Sequence, residues 1–231
     1  MQAAPSKPSH AAAIPSVESP SAVDAVVGAI TRAVREGHVV PGQRLVELDF
    51  ARRLAVSRSS VREAFQRLVA DGLLAAIPNR GVTIRQLSRA EVEQWFELRI
   101  ALESLAIRKA TPVLATDPAA LRVLLDAMDE AVSDGDIRRY SDLNRDLHER
   151  CTRAAGNPQL AAVLERLGHS IHGLQFRLMV EPRKAFETHA QHHRLVEAIL
   201  ANDADAAERE VRAHLETTRR LIQALPDHHF A

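Results

Sequence analysis

The chain holds one cysteine, Cys151, in 231 residues, which excludes an internal disulfide framework and any paired-cysteine redox or zinc-ribbon site, and suits a reducing cytoplasm. Aromatic residues make up only 3% while alanine numbers 38, a balance that favours helices packed through small side chains over a β-sandwich or barrel. No apolar run exceeds about six residues, so the sequence offers neither a membrane span nor a secretory hydrophobic segment. An excess of one charge is missing as well. The 30 basic residues balance 30 acidic ones, which excludes a polybasic nucleic-acid coat or a cationic membrane binder by bulk charge. What is present, 46% hydrophobic and 26% charged residues, suffices for a core in one large domain or two modest ones.

Residues 1–22 are mostly alanine, proline and serine, a composition that cannot offset the entropy of ordering, and a disordered leader is expected there. From Val23 the pattern turns amphipathic: Val26, Val27, Ile30 and Val34 share one helical face, and Gly37 with Pro41-Gly42 ends it. A short second pattern, Phe50, Ala51, Leu54 and Ala55, precedes a third, Val61, Ala64, Phe65, Leu68 and Val69, closed by Gly72. Ser57 is a natural N-cap for the third helix, and Ser60 to Glu63 reads as a competing capping box. Two β-capable runs, Leu73 to Ile77 and Val82 to Arg85, flank the hairpin-tip composition Pro78-Asn79-Arg80-Gly81. Helix, helix, turn, helix, hairpin is the order of a winged helix-turn-helix, assigned to residues 23–86.

Beyond Ser88 only helical periods remain. Ser88 with Glu91 makes a capping box for a helix over roughly Arg89 to Ala110, and Asp117-Pro118, Gly135-Asp136, Asn157-Pro158, Pro182 and Asn202-Asp203 punctuate the helices that follow. Residues 87–226 should therefore form an all-α antiparallel bundle of six or seven helices, with 227–231 as a tail, so the fold class is mainly α. Splitting the charges at the same boundary gives 10 basic against 6 acidic residues for 21–86, and 19 against 23 for 87–231. The neutral total thus hides a basic half facing an acidic one. Arg52, Arg53, Arg58, Arg62 and Arg67 cluster on the second and third helices, with Arg80 and Arg85 on the hairpin. Such a run is usually a solvated face. Here Arg58 and Arg62 lie one turn apart at the start of the third helix, opposite its apolar stripe, where a recognition helix meets the major groove.

The stretch Glu36-Gly37-His38-Val39-Val40-Pro41-Gly42-Gln43-Arg44-Leu45-Val46-Glu47, followed by Leu54 to Phe65 and Asp71-Gly72-Leu73-Leu74, resembles the winged-helix domain of the GntR family of bacterial transcription regulators. The resemblance implies that Ser57, Arg58, Ser59 and Arg62 contact bases and phosphates, and that Arg80 and Gly81 serve a wing reaching the minor groove. The second half is similar to the all-helical FCD effector domain of the FadR-like branch. Four segments carry this: Glu97-Leu98-Arg99 with Leu102-Glu103; Asn144 to His148 with Ala155-Gly156-Asn157; His193-Arg194 with Glu197-Ala198-Ile199; and Asp203 with Ala207 and His214-Leu215. By position that resemblance implies a divalent metal held by Asn144, His148, His193 and His214.

The residues themselves give independent support. His148 shares a helical stripe with Asn144, Leu147, Cys151 and Ala155; His193 with Val196 and Leu200; His214 with Ala207, Val211 and Thr218. Imidazoles on the inward stripes of three helices must be hydrogen-bonded, buried at a cost, or bound to something. Neutral imidazole suits borderline ions, zinc or nickel first. His189, His169 and His172 are weaker candidates, with surface or pocket-lining roles, and Cys151 reads as a small buried hydrophobe. Arg99 lies on the face of Val92, Trp95, Phe96 and Leu102, where a guanidinium must be paired; its partner is either Glu103, one turn on, or the carboxylate of an effector.

Together these features describe a cytoplasmic, homodimeric, metabolite-responsive transcription regulator with a repressor's action. It would bind a palindromic operator and sense a small organic acid near the metal. The rival readings are a metal-dependent hydrolase on the same histidines and an architectural DNA binder with a structural bundle. Against the hydrolase, the chain has no HExxH, GxSxG or Walker motif.

Overall fold

The computed structural model describes residues 21–79, 81–179 and 186–231. Residues 1–20 of the expected leader, Arg80 and the helix signal at Pro182 lie outside the described residues, while Ser21 and Ala22, also assigned to the leader, cap and open the first helix. Ser21 starts helix α1 (Ala22–Arg35) with a capping box: its hydroxyl accepts from the Asp24 amide at 3.1 Å while the Asp24 carboxylate accepts from the Ser21 amide. Helix α2 (Glu47–Leu54) stops at Ala55, whose φ of 52° lies in the left-handed region. Helix α3 (Arg58–Ala70) is capped by Ser57, which accepts from the Ser60 amide at 3.1 Å, so the start at Ser57 prevails over the competing one at Ser60.

The hairpin forms between β2 (Leu74–Ile77) and β3 (Gly81–Ile84), paired antiparallel with Ile77 opposite Gly81. Its tip turns through Asn79 at φ 60° and Gly81 at φ 86°, the left-handed region that asparagine and glycine tolerate best. A two-residue strand that the pattern did not announce, β1 (Arg44–Leu45), pairs with the other side of β3, giving the order β1-β3-β2. Val26, Ile30 and Val34 of α1, Val61, Phe65 and Leu68 of α3, and Leu45, Leu74 and Ile84 of the sheet close one core.

Six further helices follow among the described residues: α4 (Arg89–Leu114), α5 (Pro118–Ser133), α6 (Ile137–Ala154), α7 (Pro158–Met179), α8 (His189–Leu200) and α9 (Ala204–Gln223). The signals read from the sequence act as caps. Pro118 opens α5, and Asp136, Asn157 and Asp203 each accept an amide of the helix they precede. Helix α4 runs past the expected end at Ala110. Pro112 has no N–H for the Arg108 carbonyl, and the helix stops two residues on.

A second core gathers Phe96, Ile107, Met128, Tyr140, Leu147, Leu195, Ile199, Val211 and Leu215. Helix α9 lies along α4 and beside α8, and α6 packs against α4 and α5. No helix among the described residues is long and apolar enough to cross a membrane. Residues 227–231, expected as a tail, instead dock on the second core beside the start of α4. Phe230 is buried, the Arg89 guanidinium lies 4.1 Å from its ring centroid, and Gln86 donates to the Phe230 carbonyl at 2.7 Å. An aromatic four residues after a proline carried no periodic signal, so only packing reveals this clasp.

The start of α4 is itself tied by side chains. Ser88 and Glu91 cap α4 reciprocally, and Glu91 also takes Arg85 of the hairpin's outgoing chain at 2.8 Å. Ser88→Ala should destabilise the chain by about 1 kcal/mol, the usual cost of a lost N-cap. Urea unfolding of the full chain measures this; an unmoved midpoint would show that α4 does not depend on its cap.

Candidate metal centre and nucleic-acid interface

The start of α3 is a polar, exposed surface. Arg58 and Arg62 are 63% and 59% exposed, and both turn toward Glu47 at the start of α2. Arg62 donates through Nε and Nη2 to the two Glu47 oxygens at 3.2 and 3.0 Å, and the Arg58 Nη2 lies 3.6 Å from the same carboxylate. Hydrogen bonds from Arg62, with the charges of both arginines, hold the Glu47 carboxyl below its usual range. Ser59 contacts the Ser57 hydroxyl at 2.7 Å, so Ser57, Arg58, Ser59 and Arg62 share one patch. At the hairpin, Arg44 runs alongside Gly81: a Cβ added to that glycine would sit 3.7 Å from the Arg44 Nε. Glu47 and Arg44 were not singled out from the sequence. Glu47 carried no signal, whereas Arg44 could have been found from its place in a basic winged helix.

Inside the bundle three imidazoles converge. His148 of α6, His192 of α8 and His214 of α9 place one ligand atom each within 4.8 Å of the others, and their ring centroids are 4.4–5.9 Å apart. His193, expected at this point from its dipeptide with Arg194, is elsewhere. One residue along a helix is a rotation of about 100°, and it carries His193 to the α5 side, where its Nε2 is 2.7 Å from Asp129. The signal for His192 was in the sequence: His192, Leu195, Val196 and Ile199 form a stripe at i, i+3, i+4 and i+7, and all four are buried.

Each ring of the cluster is oriented or left open in a definite way. His148 meets Glu103 through Nδ1 at 3.1 Å, and His192 meets Tyr140 through Nδ1 at 3.2 Å. Those contacts leave Nε2 of both rings for another partner. The His192 Nε2, the His214 Nδ1 and the Asn144 Oδ1 are buried with no hydrogen-bond partner, and Asn144 stands one turn before His148 on α6. Buried polar atoms without partners cost about 1–3 kcal/mol each, so two of them in the imidazole cluster give it open capacity for a ligand. Burial, with repulsion from neighbouring imidazoles, pushes His192 well below its ordinary value and His214 down to about 3. Both are therefore neutral, the form that coordinates a metal.

Arg99 is paired with Glu103, Nε to Oε1 at 2.6 Å, and its guanidinium lies 5.6 and 5.9 Å from the Trp95 and Phe96 ring centroids. Burial raises the Glu103 carboxyl, but the Arg99 charge and the His148 hydrogen bond outweigh it and bring the value to about 2. One carboxylate thus joins Arg99 to the histidine cluster. Cys151 is buried on the same helix as His148, and burial, with the Glu103 charge, pushes its thiol up to about 12, as a protonated hydrophobe requires.

Comparison with known proteins matches each half of the chain to a family model. Residues 22–84 match the bacterial regulatory proteins of the gntR family, and residues 94–217 match the FCD domain. The chain is 35% identical over 144 residues to an uncharacterized HTH-type transcriptional regulator in the TAR-I ttuE-ttuC' intergenic region of Agrobacterium vitis, covering 61% of this chain and 84% of that one. It is 29% identical over 187 residues to a probable D-xylose utilization operon transcriptional repressor of Paenarthrobacter nicotinovorans, covering 80% and 82%. The solved structure of E. coli McbR/YncC superposes with a TM-score of 0.79 at 23% identity, covering 87% of this chain and 97% of that one, and shares the fold.

Proposed function

Because the chain belongs to the GntR family of bacterial transcription regulators and carries its FCD domain, we propose that it is a repressor whose operator affinity is set by a small carboxylate bound beside a metal in the bundle. As a GntR-type regulator it acts on DNA and is not an enzyme. The observation that carries the finer reading is the convergence of His148, His192 and His214 from three helices, with buried, unpartnered atoms on His192, His214 and Asn144. These four side chains would hold a divalent ion of the zinc or nickel class, in place of the set with His193. A bound ion supplies a Lewis-acidic anchor for an effector oxygen.

The chain's own groups do the rest. Glu103 orients His148, and Tyr140 orients His192. Arg99 uses Nε and Nη2 on Glu103, which leaves guanidinium donors for an effector carboxylate. Arg99 and Glu103 ride on α4, the helix that begins at the winged helix and is tied to it through Arg85 and Glu91. A ligand that prefers one position of α4 would therefore bias the winged helices, and couplings of this kind run to about 1–3 kcal/mol.

A homodimer on a palindromic operator completes the reading, since one winged helix covers only a few base pairs. Leu98 and Leu105, seven residues apart on α4 and about half exposed, offer an apolar stripe for the second subunit. The test is native mass spectrometry of freshly purified protein, followed by operator titrations with and without a chelator across a set of small carboxylic acids. A dimer carrying metal, released from DNA by an acid only when metal-loaded, is the expected result. A metal-free monomer whose operator affinity no acid changes would overturn the proposal.

A further inference from the structure

A second set of ligand-type side chains lies on the neighbouring face of α8, about 100° or less around the helix from His192, and is not used by the reading above. Asp129 of α5 and His189 and His193 of α8 place one ligand atom each within 4.8 Å of the others. The Nε2 atoms of both imidazoles meet a single carboxylate oxygen, Asp129 Oδ1, at 2.6 and 2.7 Å. His189 and His193 are four apart on one helix, so their rings share a face, with centroids 5.0 Å apart. Among the described residues no arginine or lysine pairs with Asp129; its ionic neighbours are these two imidazoles. The site is open to solvent on one side, with Asp129 46% and His193 37% exposed, while His189 is mostly covered, its ring 5.5 Å from that of Tyr140.

We infer that Asp129, His189 and His193 form a second, solvent-exchangeable site for a divalent transition ion of the zinc class. Two imidazoles and one carboxylate on one side of an ion suit borderline metals, whereas magnesium and calcium call for mostly oxygen ligands. Bonds of about 2.0–2.1 Å to zinc place neighbouring ligand atoms about 3.3 Å apart, so seating an ion lengthens the Nε2–Oδ1 separations of 2.6 and 2.7 Å by only about 0.6–0.7 Å. The exposed Asp129 carboxylate has room for that shift. Solvent fills the remaining coordination positions.

The location also gives the site a consequence. His192 lies between His189 and His193 in sequence and, turned about 100° from His193, faces the inner cluster. An ion bridging α5 and α8 holds the rotation of α8 about its axis, the coordinate that aims His192.

The experiment uses the full chain, stripped with a chelator and then equilibrated with buffered zinc, with bound metal counted by plasma mass spectrometry and titrated calorimetrically. Asp129→Ala with His193→Ala should bind one zinc fewer per chain than the wild type, with an unchanged circular dichroism spectrum. His148→Ala with His214→Ala should lose a different equivalent and keep this one. Asp129→Asn, which keeps the shape and removes the charge, should weaken the outer site at least about tenfold. Equal zinc content in the wild type and the folded Asp129→Ala, His193→Ala variant would overturn the inference. Loss of nothing in the inner variant would instead sink the inner metal while leaving the outer site standing.

Discussion

His192→Ala is expected to strip the inner metal from the bundle, and His193→Ala to leave it in place, although the two residues are adjacent. His192 has its Nδ1 against Tyr140 and its Nε2 buried and unpartnered in the cluster, while His193 faces Asp129. Removing a partner that merely supports a ligand costs about 10–100-fold in metal affinity, so removing the ligand should cost more than about 100-fold. The measurement is zinc content after dialysis, made in an Asp129→Ala background so that only the inner ion is counted. The operator should still bind the His192→Ala protein, because the winged helix has its own core, but an effector acid should no longer release it. Glu103→Gln provides a graded comparison. It keeps the shape beside His148 but loses the charge that compensates Arg99, and should fall within the 10–100-fold range. Retention of the inner zinc by His192→Ala, or its loss from His193→Ala, would return the ligand set to the one the His-Arg dipeptide suggested.

Arg58→Ala should lower affinity for a selected operator by about 1–3 kcal/mol, which is roughly 5- to 150-fold, while leaving affinity for a scrambled duplex much less changed. The side chain is 63% exposed and its ion pair with Glu47 is long, at 3.6 Å, so the fold should not notice its loss. Ser57 cannot serve the same purpose, because it also caps α3, and its removal would mix a folding cost with a lost contact. Fluorescence anisotropy at matched salt makes the comparison. Equal operator affinity for wild type and variant would remove the start of α3 from the recognition surface.

Those two outcomes bear on different kinds of information. The elements of the winged helix were legible because each is written locally: Ser57 as a cap, the apolar stripe Val61, Ala64, Phe65 and Leu68, and a hairpin tip of Asn79 and Gly81 that needs positive φ. The same holds for the Ser88 and Glu91 capping box and for the proline, aspartate and asparagine signals that open the later helices. Strand β1 was not legible, since two residues make no period and their pairing with β3 is decided across a distance in sequence.

The sequence by itself determined a mainly α chain with a winged helix first and a helical bundle after it, one inward histidine on α6 and another on α9, and the family to which they belong. Tertiary structure decided which histidine of α8 joins them. Periodicity supports both His192 and His193 with apolar neighbours, and only the packing of α8 against α5 on one side and α9 on the other fixes the rotation that sends His192 inward and His193 to Asp129. It likewise decided that Arg99 is held by Glu103, and that Phe230 is buried in the second core beside the start of α4. A helix of period 3.6 specifies a face locally, but which neighbour that face meets is set by long-range burial, and a difference of one residue is then a difference of site.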